Sequence, residues 1–290
     1  MSAPARPPAA APAQAQGAAT DAAAPSADAA APRATPGWAW TGSALEPVDD
    51  ADAAAARTLA ADSWLVVDGR VLALDRHAQR FQEAVAAVGG DRLDARSIVR
   101  RAASVVPDGR WSPRVDLTPE GLRLRLRPAP PAQRSVEVVT AARDPRAHPL
   151  TKGPDLVALA ALQAEESARV GTAVEPILAP GGRVAEGAWS ALLWWRGDAL
   201  HVPAAEVVRL PSVTAAVLAE VARIDGVRLV EEAASPDDLA GCEVWLANAL
   251  RGIRGVARWH GGPELAPPTR VDAWRARLDG LRTRPRGGRS

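Results

Sequence analysis

Apolar and polar positions alternate along this chain with two different periods, and each period predicts a different element. In LDRHAQRFQEAVAAVGG (74–90), apolar residues recur every three or four positions and end at two glycines, which predicts an amphipathic helix. In LRLRLRP (122–128), leucine and arginine alternate strictly. This pattern predicts a half-buried strand whose solvated face carries Arg123, Arg125 and Arg127. Such a face is also compatible with nucleic acid, but the small net charge favours an ordinary strand.

The same periods predict further elements in both halves of the chain. Asp68-Gly69 is a strong turn signal, so DSWLVVDGRVLAL (62–74) is predicted to form a hairpin. Further helices are predicted at about 91–106, from Pro154 to about Val170, and near 269–282. Another is predicted in PSVTAAVLAEVARIDG, capped by Ser212 or Thr214. The other predicted strands are SVEVVTA, VEPILA, SALLWW, ALHVP, VRLVEE, CEVWLANAL and IRGVARW. Because strands and helices mix throughout, the predicted fold class is α/β (α+β).

Composition divides the chain into four stretches. Residues 1–36 are mostly Ala, Pro, Gln, Ser and Thr with almost no large apolar side chain, which predicts a disordered tail. We expect a small N-terminal α/β domain over residues 37–142 and a larger C-terminal domain over residues 150–290. The segment RDPRAHP (143–149) is predicted to be the linker between them.

Charge and cysteine content narrow the class of protein. The net charge of +1 gives no overall attraction to nucleic acid or to an anionic membrane. No apolar run approaches the roughly 20 residues that a transmembrane helix requires, and the tail lacks the apolar core of a signal peptide. Cys242 is the single cysteine, so no intrachain disulfide is expected and a cytoplasmic location is the simplest prediction. The spacing of cysteine and histidine offers no zinc site.

One position stands out for its chemistry. Lys152, in HPLTKGPDL, is the single lysine among 35 lysine and arginine residues. Arginine supplies the same charge but does not give up its proton in proteins, whereas a desolvated lysine becomes a nucleophilic amine. Rarity alone leaves open both a functional lysine and a chance survivor of a lysine-poor composition.

Five segments follow one another in an order that is informative. They are ADSWLVVDGRVLALDRHAQRF, KGPDL, EGAWSALL, LPSVT and NALRGI. In this order and spacing the chain resembles the class IV aminotransferases, the fold-type IV pyridoxal phosphate enzymes. That group includes branched-chain aminotransferases, D-amino-acid aminotransferases and aminodeoxychorismate lyase. The resemblance covers roughly residues 38–280 and implies a larger C-terminal pseudo-barrel domain that binds pyridoxal 5'-phosphate.

The resemblance also implies roles for individual residues. Lys152 is expected to form the imine with the cofactor and then to act as the general base that moves a proton. Glu186 is expected to lie beside the ring nitrogen, where a carboxylate favours the protonated ring. Asn248 and Ala249 match the last strand and loop of the family's site and are expected to contact the cofactor. His77 is interpreted as structural.

The cofactor's phosphate is expected at the N-terminus of the helix that begins near Ser212. The backbone N–H groups of Val213 and Thr214 and the Thr214 hydroxyl are expected to hold it. Arg80 occupies the place of the family's phosphate-binding arginine.

The chain also departs from the family's pattern. Ala191 stands where an asparagine is usual, Leu193 where an aromatic residue is usual, and Ala215 where an arginine is frequent. Ala249 lacks the hydroxyl that relatives offer to the phosphate. The chain has no tyrosine, so the phenol that some relatives direct at the cofactor's ring oxygen is missing. None of these departures changes the lysine predicted to form the imine or the carboxylate predicted to face the ring nitrogen. We expect them to affect substrate recognition and reaction rate.

The predicted function is that of an aminotransferase that moves an amino group between an amino acid and a 2-oxo acid. Two alternatives stay open. One is a lyase that splits 4-amino-4-deoxychorismate to 4-aminobenzoate and pyruvate, and the other is a degenerate relative that binds cofactor without turnover. The resemblance further implies a homodimer. No nucleic-acid partner, membrane partner or metal is expected.

Overall fold

Two β-sheets with helices packed against them make up the part of the chain that the computed structural model describes, which is residues 37–48 and 57–285. The predicted tail at 1–36 lies outside the described residues. The strands are β1 (Gly37–Trp40), β2 (Leu45–Val48), β3 (Ala60–Ser63), β4 (Val66–Val67), β5 (Arg70–Val71), β6 (Arg110–Thr118), β7 (Gly121–Pro128), β8 (Ser135–Thr140), β9 (Glu175–Leu178), β10 (Glu186–Gly187), β11 (Ala191–Arg196), β12 (Ala199–Pro203), β13 (Arg228–Glu232), β14 (Glu243–Asn248) and β15 (Gly252–His260). The helices are α1 (Leu74–Ala87), α2 (Ala95–Val105), α3 (Leu156–Val170), α4 (Val213–Ile224) and α5 (Val271–Gly280), with short 3-10 turns at Pro180–Gly182 and Asp237–Leu239.

The first sheet is antiparallel and holds β1 to β7. Its order is β2-β1-β7-β6-β4-β5, and β3 pairs with the other part of β6. Leu122 and Leu124, on one face of β7, are buried with Phe81 of α1 and Ile98 of α2. The alternation of LRLRLRP therefore places its leucines in a core that two amphipathic helices cover, as expected for a sheet with one apolar face.

The opposite face of β7 differs from the prediction. The side chains of Arg123 and Arg125 are only 16% and 19% exposed, so this is not a solvated face. Neighbouring β6 places the buried Asp116 beside them, and Asp116 accepts a hydrogen bond from Arg125 at 3.0 Å. The sequence alternation is correct, but the face is covered because charged groups of the adjacent strand pair with it.

The second sheet is mixed and curls on itself. It holds β8 to β15 in the order β10-β9-β8-β15-β14-β11-β12-β13, and β10 pairs with both β9 and β11. Strands β10, β9, β8, β15, β14 and β11 thus form a closed ring, with β12 and β13 continuing from it. Neighbours β8–β9, β15–β8 and β12–β13 are parallel. The predicted α/β (α+β) class is confirmed, while the division into two domains and its boundaries stay predictions.

Helix α4 lies on this second sheet and buries one side. Its Val217 and Leu218 pack with Leu193 of β11 and Trp245 of β14. Ser212 caps the helix, because its hydroxyl accepts a hydrogen bond from the backbone N–H of Ala215 at 3.2 Å. The cap prediction is confirmed for Ser212, and it fixes where the helix begins.

Other predicted elements are confirmed with shifted ends. The predicted hairpin is formed by β4 and β5, and its turn consists of Asp68 and Gly69, which both have positive φ. Helix α2 begins at Ala95, four residues later than predicted. Helix α3 begins at Leu156, so Pro154 precedes the helix instead of lying in its first turn. None of the helices in the described part of the chain has the length and apolarity needed to span a membrane.

Candidate active site

A cavity of about 410 Å³ is lined by residues of both sheets and of the loops around them. Strands β3, β6 and β7 contribute one part of its wall, and β10, β11 and the turn after β14 contribute another. All eight residues that the sequence assigns to the site line this cavity: Arg80, Lys152, Glu186, Ser212, Val213, Thr214, Asn248 and Ala249. Residues from widely separated segments are thus brought to one place.

Lys152 lies in the loop that leads into α3, and this loop rests directly on β3. The backbone N–H of Ala61 donates a hydrogen bond to the carbonyl oxygen of Lys152 at 2.6 Å. The next residue, Gly153, has φ +135°, and a Cβ there would come within 2.9 Å of backbone atoms of Ala60 and Ala61. Only glycine allows this approach, so the Lys-Gly pair fixes the lysine against the strand.

The amine of Lys152 has a lowered pKa. The residue is half-buried, and its Nζ has no hydrogen-bond partner among the described residues. Burial, with the nearby charge of Arg80, lowers the pKa of Lys152 to about 8. A much larger fraction of this amine is therefore unprotonated near neutral pH than for an exposed lysine, which is what a nucleophilic amine requires.

Glu186, in β10, is 7% exposed and faces the same cavity. Burial raises its pKa to about 7, although the nearby charge of Arg146 opposes that rise. Arg146 donates a hydrogen bond to Glu186 and also pairs with Asp144 at 2.6 Å. The backbone N–H of Leu210 donates to the same carboxyl group at 3.3 Å. Glu186 is thus a buried carboxyl group paired with a cation that it shares with Asp144.

Sequence reasoning did not find Arg146. It falls within the segment 143–149, which the pattern predicts to be a linker, yet its side chain is only 5% exposed and it lines the cavity. The pairing with Glu186 joins residues that are 40 positions apart, so no local pattern marks it.

Arg80, on α1, has most of its donors occupied by protein acceptors. Its Nε and Nη2 each donate to Asp62 at 2.8 Å, and its Nη1 donates to the carbonyl oxygen of Pro211 at 3.1 Å. Asp62 is fully buried in β3 and also contacts Nδ1 of His77 at 2.8 Å. Burial by itself raises the pKa of a carboxyl group, but Arg80 and His77 outweigh it and hold the pKa of Asp62 well below its usual range.

Asp62 is a second residue that sequence reasoning missed. An acidic residue inside the short strand AADS was the available signal, since an ionised side chain is buried only when it is paired. The contact between His77 and Asp62 fits the structural role expected for His77, because it helps to hold the carboxylate that orients Arg80.

The N-terminus of α4 forms the cavity's anion-binding end. Val213 and Thr214 are buried, and their backbone N–H groups have no acceptor among the residues that the structure describes. Unpaired N–H groups and the positive end of the helix dipole favour an anion here. Since Arg80 donates to Pro211 just before the helix, a cation lies at the same end.

Asn248 has its side chain occupied by the protein. Its Nδ2 donates to Ser190 Oγ at 3.0 Å, and its Oδ1 accepts from the backbone N–H groups of Leu250 and Arg251 at 3.1 and 2.8 Å. We therefore interpret Asn248 as shaping the turn that presents Ala249 to the cavity. Direct contact of Asn248 with a cofactor stays a prediction.

A buried ion pair packs against the cavity-lining segment from Gly187 to Ser190. Arg254 donates to Glu175 at 2.5 Å and to Ser190 Oγ at 2.9 Å, and both charged side chains are at most 3% exposed. Glu175 Oε1 would lie only 2.6 Å from a Cβ added to Gly187, so the carboxylate packs closely against this glycine. This pair fixes the segment from Gly187 to Ser190, which borders the cavity next to Glu186.

The departures from the family's pattern fall in different places. Ala191 and Ala249 line the cavity, so their missing polar groups change its chemistry. Leu193 is fully buried against α4, and it does not line the cavity. The backbone N–H of Ala215 is taken by the Ser212 cap. Substitution therefore affects the cavity itself at only two of these positions.

The cavity brings together three chemically different groups. It offers an amine with lowered pKa at Lys152, a buried carboxyl group at Glu186 and a helix N-terminus that accepts an anion. A ligand with an aldehyde, a basic ring nitrogen and a phosphate matches these three features, one to each.

Comparisons with known proteins identify the family and the fold. The family model described as amino-transferase class IV matches residues 59–259. No curated protein sequence matches significantly. Among solved structures, an aminotransferase from Brucella abortus bound to PLP aligns with a TM-score of 0.67 at 16% identity, covering 85% of this chain and 97% of that one.

Two further structures show the same fold. A hypothetical aminotransferase from Mycobacterium tuberculosis, in its alpha-ketoglutarate and PMP bound form, has a TM-score of 0.64 at 20% identity over 77% of this chain and 88% of its own. A protein from Legionella pneumophila provisionally assigned as a 4-amino-4-deoxychorismate lyase has a TM-score of 0.63 at 15% identity, over 77% and 90%. At these identities the likeness concerns the fold alone, whereas the family match covers more than half of the sequence. The resemblance expected from the sequence is confirmed, and the chain belongs to the class IV aminotransferase family.

Proposed function

We propose that this protein is a pyridoxal-phosphate-dependent aminotransferase, which transfers an amino group between an amino acid and a 2-oxo acid. Membership of the class IV aminotransferase family indicates pyridoxal 5'-phosphate as the cofactor. The single observation that carries the proposal is the meeting of Lys152, Glu186 and the N-terminus of α4 in one cavity.

The residues present fit this cofactor. When bound, pyridoxal phosphate supplies an aldehyde for a primary amine and a protonated ring nitrogen that draws electrons from the reacting carbon. Lys152 is the only lysine side chain in the sequence, so it supplies the amine. Glu186 offers the carboxyl group that favours a protonated nitrogen, and the N–H groups of Val213 and Thr214 receive the phosphate.

Lys152 has two tasks in this proposal. Its amine holds the cofactor, and after an amino acid substrate displaces it, the free amine accepts a proton from the substrate's α-carbon. A general base works best when its pKa lies near the working pH, and the pKa of Lys152 is lowered to about 8. The same group that anchors the cofactor is therefore matched to proton transfer near neutral pH.

Glu186 and Arg146 act together on the ring nitrogen. Arg146 keeps Glu186 more acidic than burial alone would allow, since the arginine opposes the rise in pKa. A carboxylate, not a neutral acid, is needed to favour the ring cation. Arg146 thereby increases the ionised fraction of Glu186, which at a pKa of about 7 titrates near neutral pH.

The remaining question is which reaction the cofactor serves. Transfer requires a 2-oxo acid acceptor, whereas the lyase reaction on 4-amino-4-deoxychorismate releases pyruvate without one. The supporting test incubates the cofactor-loaded chain with a panel of 15N-labelled amino acids and 2-oxoglutarate, and follows 15N-glutamate by mass spectrometry. Labelled glutamate that depends on both substrates and is lost in Lys152→Arg supports an aminotransferase. Pyruvate release without an acceptor would instead favour the lyase, and cofactor attachment without either reaction would favour a degenerate relative. Homodimer formation and a cytoplasmic location stay predictions from the sequence.

A further inference from the structure

The turn that joins β10 to β11 carries a buried hydroxyl group between two donors. Ser190 is 4% exposed and lines the cavity. Its Oγ lies 3.0 Å from Nδ2 of Asn248 and 2.9 Å from Nη2 of Arg254. The backbone of the turn is closed, because the N–H of Gly187 donates to the carbonyl oxygen of Ser190 at 2.8 Å. The hydroxyl is therefore held at a fixed place on the cavity wall, in the turn that begins after Glu186.

Both neighbours of this hydroxyl act as donors. The guanidinium of Arg254 has no acceptor atom. The amide of Asn248 is oriented by its oxygen, which accepts from the backbone N–H groups of Leu250 and Arg251 at 3.1 and 2.8 Å. Its NH2 group therefore points to Ser190. A hydroxyl has two lone pairs and one hydrogen, so Ser190 has only its hydrogen left for a further bond.

The hydrogen of the Ser190 hydroxyl has no acceptor among the residues that the structure describes. A buried donor without an acceptor is destabilising, so such a group in a cavity wall indicates a ligand that carries an acceptor. Hydrogen bonds in a chain polarise one another, so the guanidinium of Arg254 makes this hydroxyl a stronger donor. The cavity wall thus holds a directed donor that suits an anionic oxygen.

The contacts of the turn indicate which part of the cavity the hydroxyl serves. Trp189, next to Ser190, donates through Nε1 to Gln163 of α3 at 2.7 Å. Helix α3 follows the loop that carries Lys152, whereas α4 forms the anion-binding end. In the described structure no hydrogen bond of residues 187–190 reaches α4. Ser190 is therefore placed on the Lys152 side of the cavity.

Building on the proposed function, we propose that the Ser190 hydroxyl donates its hydrogen to the ring oxygen of pyridoxal phosphate. Lys152, Glu186 and the N-terminus of α4 already serve the aldehyde, the ring nitrogen and the phosphate. The ring oxygen is the polar group of the cofactor that remains, and as an anion it suits a polarised donor. It is bonded to the ring carbon next to the one that bears the aldehyde, which places it near Lys152. The chain contains no tyrosine, so no phenol competes for this contact.

Thr151 is the competing hydroxyl, because it lines the cavity next to Lys152 in the sequence. Its backbone N–H donates to the carbonyl oxygen of His148 at 3.0 Å, but no hydrogen bond holds its side chain among the described residues. The Thr151 hydroxyl is thus free to rotate, whereas two donors fix the direction of the Ser190 hydrogen. We therefore assign the ring oxygen to Ser190.

The test compares two cofactors that differ only in the ring oxygen, pyridoxal 5'-phosphate and 3-deoxypyridoxal 5'-phosphate. Intrinsic tryptophan fluorescence of the full chain gives the dissociation constant of each. Ser190→Ala should weaken binding of pyridoxal 5'-phosphate roughly 10- to 100-fold, as expected when a hydrogen bond to a charged group is lost. Binding of the deoxy compound should change little. An equal loss for both cofactors would overturn the assignment, because the serine would then act through the fold or through the phosphate.

Matched variants locate the effect. Ser112→Ala is the control, because Ser112 is also buried in the cavity wall and also accepts from an arginine, Arg127, at 3.3 Å. This variant should keep the wild-type preference for pyridoxal 5'-phosphate over the deoxy compound. Ser190→Cys replaces the alanine variant if that one does not fold, since a thiol is a weak donor. Loss of the preference in Thr151→Val but not in Ser190→Ala would contradict the assignment.

A pH titration of the bound cofactor's visible absorbance gives a second readout. A hydrogen bond to the anionic oxygen favours the anion and so lowers the pH at which it takes up a proton. Ser190→Ala should therefore move the absorbance transition to higher pH, and a tenfold weaker contact with the anion corresponds to about one pH unit. A transition that stays at the wild-type pH would count against the contact.

Failure of this inference is distinguishable from failure of the proposed function. Cofactor attachment is measured first in every variant, by borohydride reduction and peptide mapping at Lys152. We expect Ser190→Ala to keep that attachment at saturating cofactor. If the cofactor attaches but Ser190→Ala affects both cofactors alike, the ring-oxygen assignment is wrong and the proposed function stands. If the cofactor does not attach even to the wild-type chain, the proposed function fails, and the ring-oxygen assignment fails with it.

Discussion

Arg146 donates a hydrogen bond to Glu186 inside the cavity, so the carboxyl group proposed to face the cofactor's ring nitrogen is paired with a guanidinium that it shares with Asp144. Both side chains are nearly inaccessible, at 5% and 9% exposure. Charges that are this poorly solvated interact strongly, and removal of one changes the protonation of the other.

Replacement of Arg146 should therefore make Glu186 a weaker acid. In Arg146→Met, Glu186 stays buried but loses the positive charge that partly offsets the effect of burial on its pKa. The pKa of Glu186 should therefore increase from about 7 by roughly one pH unit or more. Carbon-13 NMR of the glutamate carboxyl groups in the cofactor-free chain measures this, with Glu186→Gln to assign the signal. Arg143→Met is the control, because Arg143 is exposed and pairs with Glu165. An unchanged Glu186 titration in Arg146→Met would show that the pair does not control the carboxyl group.

The lowered pKa of Lys152 predicts how cofactor attachment depends on pH. Only the neutral amine reacts, and its fraction rises as pH increases through the pKa. With a pKa of about 8, roughly one amine in ten is neutral at pH 7, compared with about one in 3,000 at the ordinary value of 10.5. Stopped-flow absorbance between pH 6 and 10 should show the attachment rate rising with pH and levelling off above about 8. A rate that continues to climb towards pH 10.5 would mean that the amine is not perturbed.

Gly153 should not tolerate a side chain, because its Cα lies against the backbone of β3. Comparison with Gly171 separates this close contact from the strain of a positive φ. An alanine at Gly153 meets backbone of Ala60 and Ala61 at 2.9 Å and also strains a positive φ, whereas an alanine at Gly171 has φ +81° with nothing within 4 Å. Gly171→Ala should lose about 1–2 kcal/mol of unfolding free energy from strain alone. Gly153→Ala should lose more and should also slow cofactor attachment. Denaturant unfolding and absorbance report the two effects, and equal behaviour of the two variants would argue against the close approach.

Arg80 should matter for both stability and cofactor binding, and a double variant separates the two. Arg80→Ala leaves the buried Asp62 without its arginine, and breaking such a pair typically costs about 3–5 kcal/mol of unfolding free energy. Asp62→Asn in addition removes the stranded charge, so the double variant should regain part of that stability. Its affinity for pyridoxal phosphate, from absorbance titration, should stay about 10- to 100-fold below wild type. Recovery of affinity along with stability would mean that Arg80 does not contact the phosphate.

The sequence predicted those parts of the site that local patterns encode. Ser212 could be identified because a cap and a helix start are neighbours in sequence, and Lys152 and Glu186 could be identified because their segments resemble a family. Asp62 and Arg146 could not, since their partners are 18 and 40 residues away and an ion pair follows only from the folded backbone.

Strand β6 was not predicted, and Pro113 explains why. A proline within a strand argues against a central position, because it has no N–H for the ladder. On one edge of β6, residues 114–117 pair with β3 and residues 110–111 pair with β4. Pro113 lies between these two paired stretches. Its carbonyl oxygen accepts from the backbone N–H of Trp64 in that gap, at 3.4 Å. The missing N–H therefore falls where no strand needs it, which only the tertiary arrangement reveals.

Borohydride reduction of the cofactor-loaded chain, followed by peptide mapping, tests the central claim most directly. The claim is that Lys152 holds pyridoxal phosphate in the cavity that Glu186 and α4 line. Reduction should add one pyridoxyl group per chain, on the peptide that contains Lys152, with loss of the cofactor's visible absorbance. Lys152→Arg keeps the charge but should show no label and no bound cofactor. A wild-type chain that stays unlabelled at saturating cofactor, or that is labelled on another amine, would contradict the account.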